Sequence, residues 1–121
     1  MVDKYIPKQK DIALVDLQPT KGHEQAGYRP CVVISNNIFN KFTKMVIVCP
    51  ITTNSKDFPT HYKLEYSKKV KGAVLCEHIR SIDYETRKLK FIEKMNDSDF
   101  EEVMALINAC VEETNSKAIS Y

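Results

Sequence analysis

The sequence predicts a mainly β protein with a C-terminal helix, a small and mostly antiparallel β-barrel followed by one amphipathic segment. Three observations carry this prediction. Six short runs rich in Val, Ile, Leu, Thr and Tyr are separated by clusters of Gly, Pro, Asn and Asp, at the length and spacing of strands. Beyond residue 96 the period changes, and Phe100, Val103, Ile107, Cys110 and Val111 recur on one helical face. A chain of 121 residues fits one domain, which on folding buries roughly two-thirds of the surface that the unfolded chain exposes.

In chain order the expected strands are Ile12–Leu17, Cys31–Ser35, Met45–Thr52, His61–Tyr66, Gly72–Ile79 and Leu89–Glu93. Each is only four to eight residues long, and β-branched and aromatic side chains suit a pleated, half-buried surface. Pro50 and Pro59 mark a bulge or edge and a loop, because proline cannot donate to a ladder. Asn36–Lys41 and Asp83–Lys88 are expected to form a helical turn each. The tail reads as one helix over Asp97–Glu113, with Ser98-x-x-Glu101 as a capping box and Asp99, Glu101 and Glu102 at its positive end. The barrel is thus expected at about 10–94 and the helix at about 97–113, within a single domain spanning 1–121. No repeat or linker divides them.

The net charge of +2 conceals an asymmetry: residues 1–94 hold 17 Lys or Arg against 10 Asp or Glu, whereas residues 95–121 hold 1 against 6. A body of +7 suits a polyanion such as nucleic acid, although scattered lysines on a solvated face give the same sum. Cys31, Cys49, Cys76 and Cys110 each lie in an apolar run without C-x-x-C spacing, and the N-terminus lacks the apolar stretch of a signal peptide. The cysteines are therefore expected to be reduced and buried, in a cytoplasmic protein. The best apolar run, Met45–Thr53, is interrupted by Pro50 and is too short to span a membrane.

The densest chemistry lies in Thr20–Pro30, TKGHEQAGYRP, where Gly22 and Gly27 bracket His23, Glu24 and Gln25 ahead of Arg29. Cleavage of RNA through its own 2′-OH needs a base, an acid and donors for the charged transition state, and no metal. An ionised Glu24 could accept the proton, and Arg29 offers a planar fork matched to phosphate oxygens. On composition alone a plain loop salt bridge between the same two residues is the favoured reading. A second candidate is Val48-Cys-Pro-Ile-Thr-Thr-Asn54, where Pro50 would re-aim Thr52 out of the barrel and Lys56 would add positive charge. His23, His61 and His78 also permit a two-histidine ribonuclease, though their gaps of 38 and 17 residues do not bring them together. Tyr28, Phe39, Phe42, Phe58 and Tyr62 lie among lysines and could stack unpaired bases, with core or rim packing as the expectation for most of them. Neither a metal-ligand spacing nor a phosphate-binding glycine motif occurs, so no metal and no nucleotide cofactor is expected.

Taken together, Asp16–Pro30, the VVISN that follows, VCPITTN with Phe58-Pro59 after it, and Gly72-Ala-Val-Leu-Cys-Glu-His-Ile-Arg-Ser-Ile-Asp83 resemble, in order, the MazF/PemK family of toxin endoribonucleases. The resemblance implies an SH3-like barrel with a C-terminal helix, a homodimer, and metal-independent, sequence-specific cutting of single-stranded mRNA to 2′,3′-cyclic phosphate and 5′-OH ends. It implies that Arg29 serves in acid or base chemistry and stabilises the phosphate, that Thr52 bonds the scissile phosphate, and that Glu24 helps as a base. Gln25, Tyr28, Thr53, Lys56 and His78 are expected to contact substrate. The chain departs from the family's usual glutamine at Glu77-His78, which bears on the sequence recognised, and has His23 where other members often carry serine. The implied partner is a MazE-like antitoxin whose acidic segment would occupy the basic groove, with the acidic helix on the side away from RNA. Two other readings fit the same barrel: a toxin without chemistry, such as a gyrase inhibitor, and a non-catalytic RNA-binding module.

Overall fold

The computed structural model describes residues 4–18 and 27–113. Seven strands form one antiparallel sheet: β1 (Asp11–Asp16), β2 (Tyr28–Val33), β3 (Met45–Thr52), β4 (His61–Lys63), β5 (Ala73–Leu75), β6 (Arg80–Asp83) and β7 (Lys90–Lys94). Helix α1 (Asn37–Thr43) connects β2 to β3, and α2 (Asp97–Val111) follows β7. Strands pair in the order β4-β5-β3-β2-β1-β7, and β6 also pairs with β3. Mostly antiparallel sheet plus a C-terminal helix is the fold class expected. The sheet is open, however, because among the described residues no pairing joins β4 to β7.

The branch at β3 explains both the open sheet and the place of Pro50. One edge of β3 pairs first with β6, through Met45–Val48, and then with β5, through Ile51 and Thr52. Pro50 falls where the partner changes, and a residue without an N–H costs least there. It is buried within the strand opposite Cys31 and makes no bulge; the register irregularity lies instead between Ile12 and Ala13, facing β7. The apolar run 72–79 is not one strand: it breaks after Leu75 into a single 3₁₀ turn, Cys76–His78, before β6 begins at Arg80. Asp83–Lys88 forms one tight turn, in which the Asp83 carboxylate accepts from the N–H groups of Glu85 (3.0 Å) and Thr86 (3.1 Å).

Alternation along the strands sorts the side chains between two apolar clusters. Ile12, Val32, Ile34, Cys49, Ile51, Val74 and Cys76 pack with Phe100, Val103 and Ile107, so the helix covers that face of the sheet. Val15, Leu17, Cys31, Val33, Val46, Val48, Ile82 and Tyr84 form the other cluster. The apolar face expected of α2 is present at Phe100, Val103 and Ile107, whereas Cys110 and Val111 are exposed. All four cysteines are free, and three of them are buried. Burial pushes the Cys31 and Cys76 thiols up to about 12, with the Arg80 charge opposing the rise at Cys31.

Candidate active site

Arg29 and Thr52 lie at the same end of the β2–β3 ladder. Its last pair is Cys31 with Pro50, and each of the two residues stands two positions beyond that pair on its own strand. Alternation gives both residues the face of the second cluster, shared with Cys31, Val33, Val46 and Val48, opposite α2. On its other side Arg29 pairs with Val15 of β1, which is fully buried, so the strand beneath this arginine is held from both flanks.

Thr52 closes β3 and is buried; its Oγ1 accepts from the Asn54 N–H at 3.1 Å. It stands at the head of a groove of about 290 Å³ lined also by Thr53, Ser55, Lys56, His61 and Lys63. Gly72 sits against the same strand end, where a Cβ would lie 2.3 Å from the Thr52 carbonyl oxygen. Only a residue without a side chain lets the start of β5 approach Thr52 this closely. A second groove, about 520 Å³, shares Thr52, Ser55, Lys56, Phe58 and His61 with the first and continues to Glu77 and His78.

Of the other residues expected to contact substrate, Thr53 and Lys56 are exposed on these groove walls and His78 is half-buried in the larger one. Tyr28 is 70% exposed but faces a separate groove of about 390 Å³, with Arg87 and Lys88. Glu24, Gln25 and His23 lie outside the described residues. Among the aromatics, packing was the expectation for most, yet Tyr28, Phe42 and Phe58 are all exposed. Among the described residues no group of three or more His, Cys, Asp or Glu side chains is arranged to hold a metal ion.

Two groups stand in the groove that sequence reasoning did not single out as a pair. His61 Nε2 lies 2.6 Å from Glu77 Oε2, and Thr60 Oγ1 donates to Glu77 Oε1 at 2.8 Å. Burial alone would raise the Glu77 carboxyl, but its own backbone N–H, His61 and Thr60 outweigh that and hold it below the ordinary 4.5. The period-2 alternation of His61-Tyr62-Lys63 is the signal that could have placed His61 in the groove. Tyr62 turns toward α2 and bonds Asp99, so His61 and Lys63 must face the groove.

A profile described as PemK-like, MazF-like toxin of type II toxin-antitoxin system matches residues 8–111. The chain belongs to this family. The endoribonuclease toxin MazF of Escherichia coli K12 is 40% identical to it over 87 residues, covering 72% of this chain and 78% of that protein. Among solved structures, MazF from Deinococcus radiodurans superposes with a TM-score of 0.84 at 29% identity, covering 89% of this chain and 98% of that one. A MazE–MazF crystal structure from the same organism matches with a TM-score of 0.78 at 26% identity, over 88% and 97% of the two chains. In this PemK/MazF-like chain the family match spans the whole sheet and the whole of α2. No helix among the described residues is long and apolar enough to cross a membrane.

Proposed function

We propose that this protein is an endoribonuclease toxin that cuts single-stranded mRNA at short sequences through attack of the 2′-OH. Arg29 stabilises the charged phosphate and shares in proton transfer, Thr52 bonds the scissile phosphate, and Glu24 assists as base. The observation that carries this reading is the β2–β3 register, which supports Arg29 and Thr52 acting on one phosphate at the head of a groove walled by Lys56 and Lys63. A guanidinium fork beside a hydroxyl is what a pentavalent phosphorane needs, and neither group has to change protonation to supply it. Attack by 2′-O breaks the P–O5′ bond, so the products carry a 2′,3′-cyclic phosphate and a 5′-OH.

Thr53, Lys56, Tyr28, Gln25 and His78 contact neighbouring nucleotides, with the exposed Tyr28 and Phe58 rings available for stacking. The enzyme works as a homodimer in the cytoplasm, as a single domain of barrel and helix, and a MazE-like antitoxin with an acidic segment silences it. The MazE–MazF complex of the Deinococcus relative and the +7 charge of residues 1–94 support that partnership.

The test is incubation of the purified protein with end-labelled single-stranded RNA in EDTA, followed by mapping of the new ends. Cuts at a short recurring sequence with 5′-OH ends are expected, and R29A is expected to lose about 10²-fold or more of the rate while keeping its fold. Full activity in R29A removes that residue from the mechanism. RNA left intact but bound in a salt-sensitive manner favours the non-catalytic binding module instead.

A further inference from the structure

His61 is held through both ring nitrogens. Ser55 Oγ donates to the Lys56 carbonyl at 3.0 Å and lies 2.8 Å from His61 Nδ1, and the Lys56 carbonyl lies 2.9 Å from the same nitrogen. Nε2 faces the Glu77 carboxylate at 2.6 Å.

Three pieces of chain meet at this ring. Ser55 and Lys56 belong to the loop between β3 and β4, His61 opens β4, and Glu77 sits in the 3₁₀ turn. The same loop carries Lys56 and Phe58, which wall both grooves beside Thr52, and the Phe58 ring stands 5.4 Å from the imidazole centroid, tilted by 45°. Neither ring nitrogen is left to reach a substrate phosphate, which rules against His61 as the acid or base of the reaction.

We propose that His61 is a positioning residue that fastens the Ser55–Phe58 wall of the groove to Glu77, so that affinity for RNA falls when this link is cut. The proposal rests on the ribonuclease reading for its RNA half only. Cutting the link at either ring nitrogen releases the loop from the 3₁₀ turn. Glu77 is the anion in contact; His78 Nε2, 3.9 Å from the same Glu77 oxygen, competes for that carboxylate. Lys56, Asp57 and Lys63 line the groove on the loop and strand sides.

The experiment has two arms. Without RNA, amide exchange of residues 54–58 is measured by NMR in wild type, H61Q and E77Q. Both variants are expected to exchange these amides about tenfold faster, with the rest of the sheet unchanged. With a cleavable single-stranded RNA, KM is expected to be about fivefold higher in H61Q with kcat within twofold. Loop amides that do not loosen in H61Q and E77Q overturn the fastening. A variant that loses kcat at unchanged KM overturns the positioning role in favour of chemistry. Because the first arm contains no RNA, failure of the ribonuclease reading leaves it standing.

Discussion

At Gly72 the backbone takes φ +121°, and the nearest atoms to a hypothetical Cβ all belong to the Thr52–Thr53 peptide. Any side chain there is strained in its backbone and drives into the strand end that holds Thr52. G72A is therefore expected to cost about 3 kcal/mol of stability and to reduce RNA cutting beyond what lost stability explains. Urea unfolding set beside cleavage rates, with V103A under the helix as an equally destabilised control, measures both; equal activity in the two variants would show that Gly72 does not shape the site. The thiols are a second single-residue matter. Cys31, Cys49 and Cys76 are buried and raised by burial, whereas Cys110 is exposed, so a disulfide reagent should label one thiol per native chain and four after denaturation. Rapid labelling of two or more thiols in the native protein would contradict this. Glu77 adds a pH dependence whose sign follows from its direction. Its folded carboxyl lies below the ordinary 4.5, so its contribution is complete above that value and lost as pH falls through the folded one. Urea midpoints between about pH 3 and about pH 6 should fall more steeply for wild type than for E77Q; parallel curves would show that Glu77 is no better held in the folded state than in the unfolded one. None of this was legible in the sequence beyond the residue types. Which carboxylate meets which histidine depends on β4–β5 pairing of His61 with Leu75, a contact between segments that no local pattern encodes.

The connection from β4 to β5 is fastened by two carboxylates from other elements. Asp99, fully buried in the first turn of α2, accepts from Tyr62 Oη at 2.6 Å, Tyr66 N at 3.1 Å and Glu65 N at 3.3 Å. Glu93 of β7 accepts from Ser67 Oγ at 2.8 Å and from the N–H groups of Lys69 (2.9 Å) and Val70 (2.8 Å). Because the carboxylate at Asp99 also faces the positive end of its helix, D99A leaves several buried donors without a partner and should cost about 3 kcal/mol, and D99N about half that. Chemical denaturation reads the difference; a cost below about 1 kcal/mol for D99A would mean that water replaces the carboxylate. At this scale the sequence was readable where a period persisted. Helix α2 was visible because Phe100, Val103 and Ile107 repeat over two turns, and β1 and β3 because their apolar runs are long. Its cap was not: Asn96, one residue before the helix, accepts from Ser98 N at 2.8 Å and Asp99 N at 3.4 Å, displacing the expected Ser98 capping box. Strand β6 was missed because the apolar run 72–79 hides the 3₁₀ turn that redirects the chain, and hydrophobicity alone does not report a change of direction.

Across the whole molecule the charge asymmetry of the sequence becomes a division of faces. The acidic residues of α2 sit on the helix that covers the first apolar cluster, and alternation along β2, β3 and β4 puts Arg29, Thr52, His61 and Lys63 on the opposite face. The expectation that the acidic helix lies away from the candidate RNA groove agrees with this arrangement. It follows that the anion-binding charge should be concentrated on one side, and that the helix carboxylates should neither assist nor repel a bound strand beyond the screening distance of about 8 Å at physiological salt. Binding of a single-stranded RNA to R29A, chosen to suppress cutting, is therefore expected to weaken with salt, with a slope of log K against log salt near −3, as for about four or five neutralised phosphates on a single strand. Adding K56A should flatten that slope by about 0.7, the share of one phosphate. Adding E101Q on the exposed side of α2 should leave it unchanged, since that residue lines neither groove beside Thr52. A slope indifferent to K56A but altered by E101Q would reverse the assignment of faces and move the RNA path onto the helix.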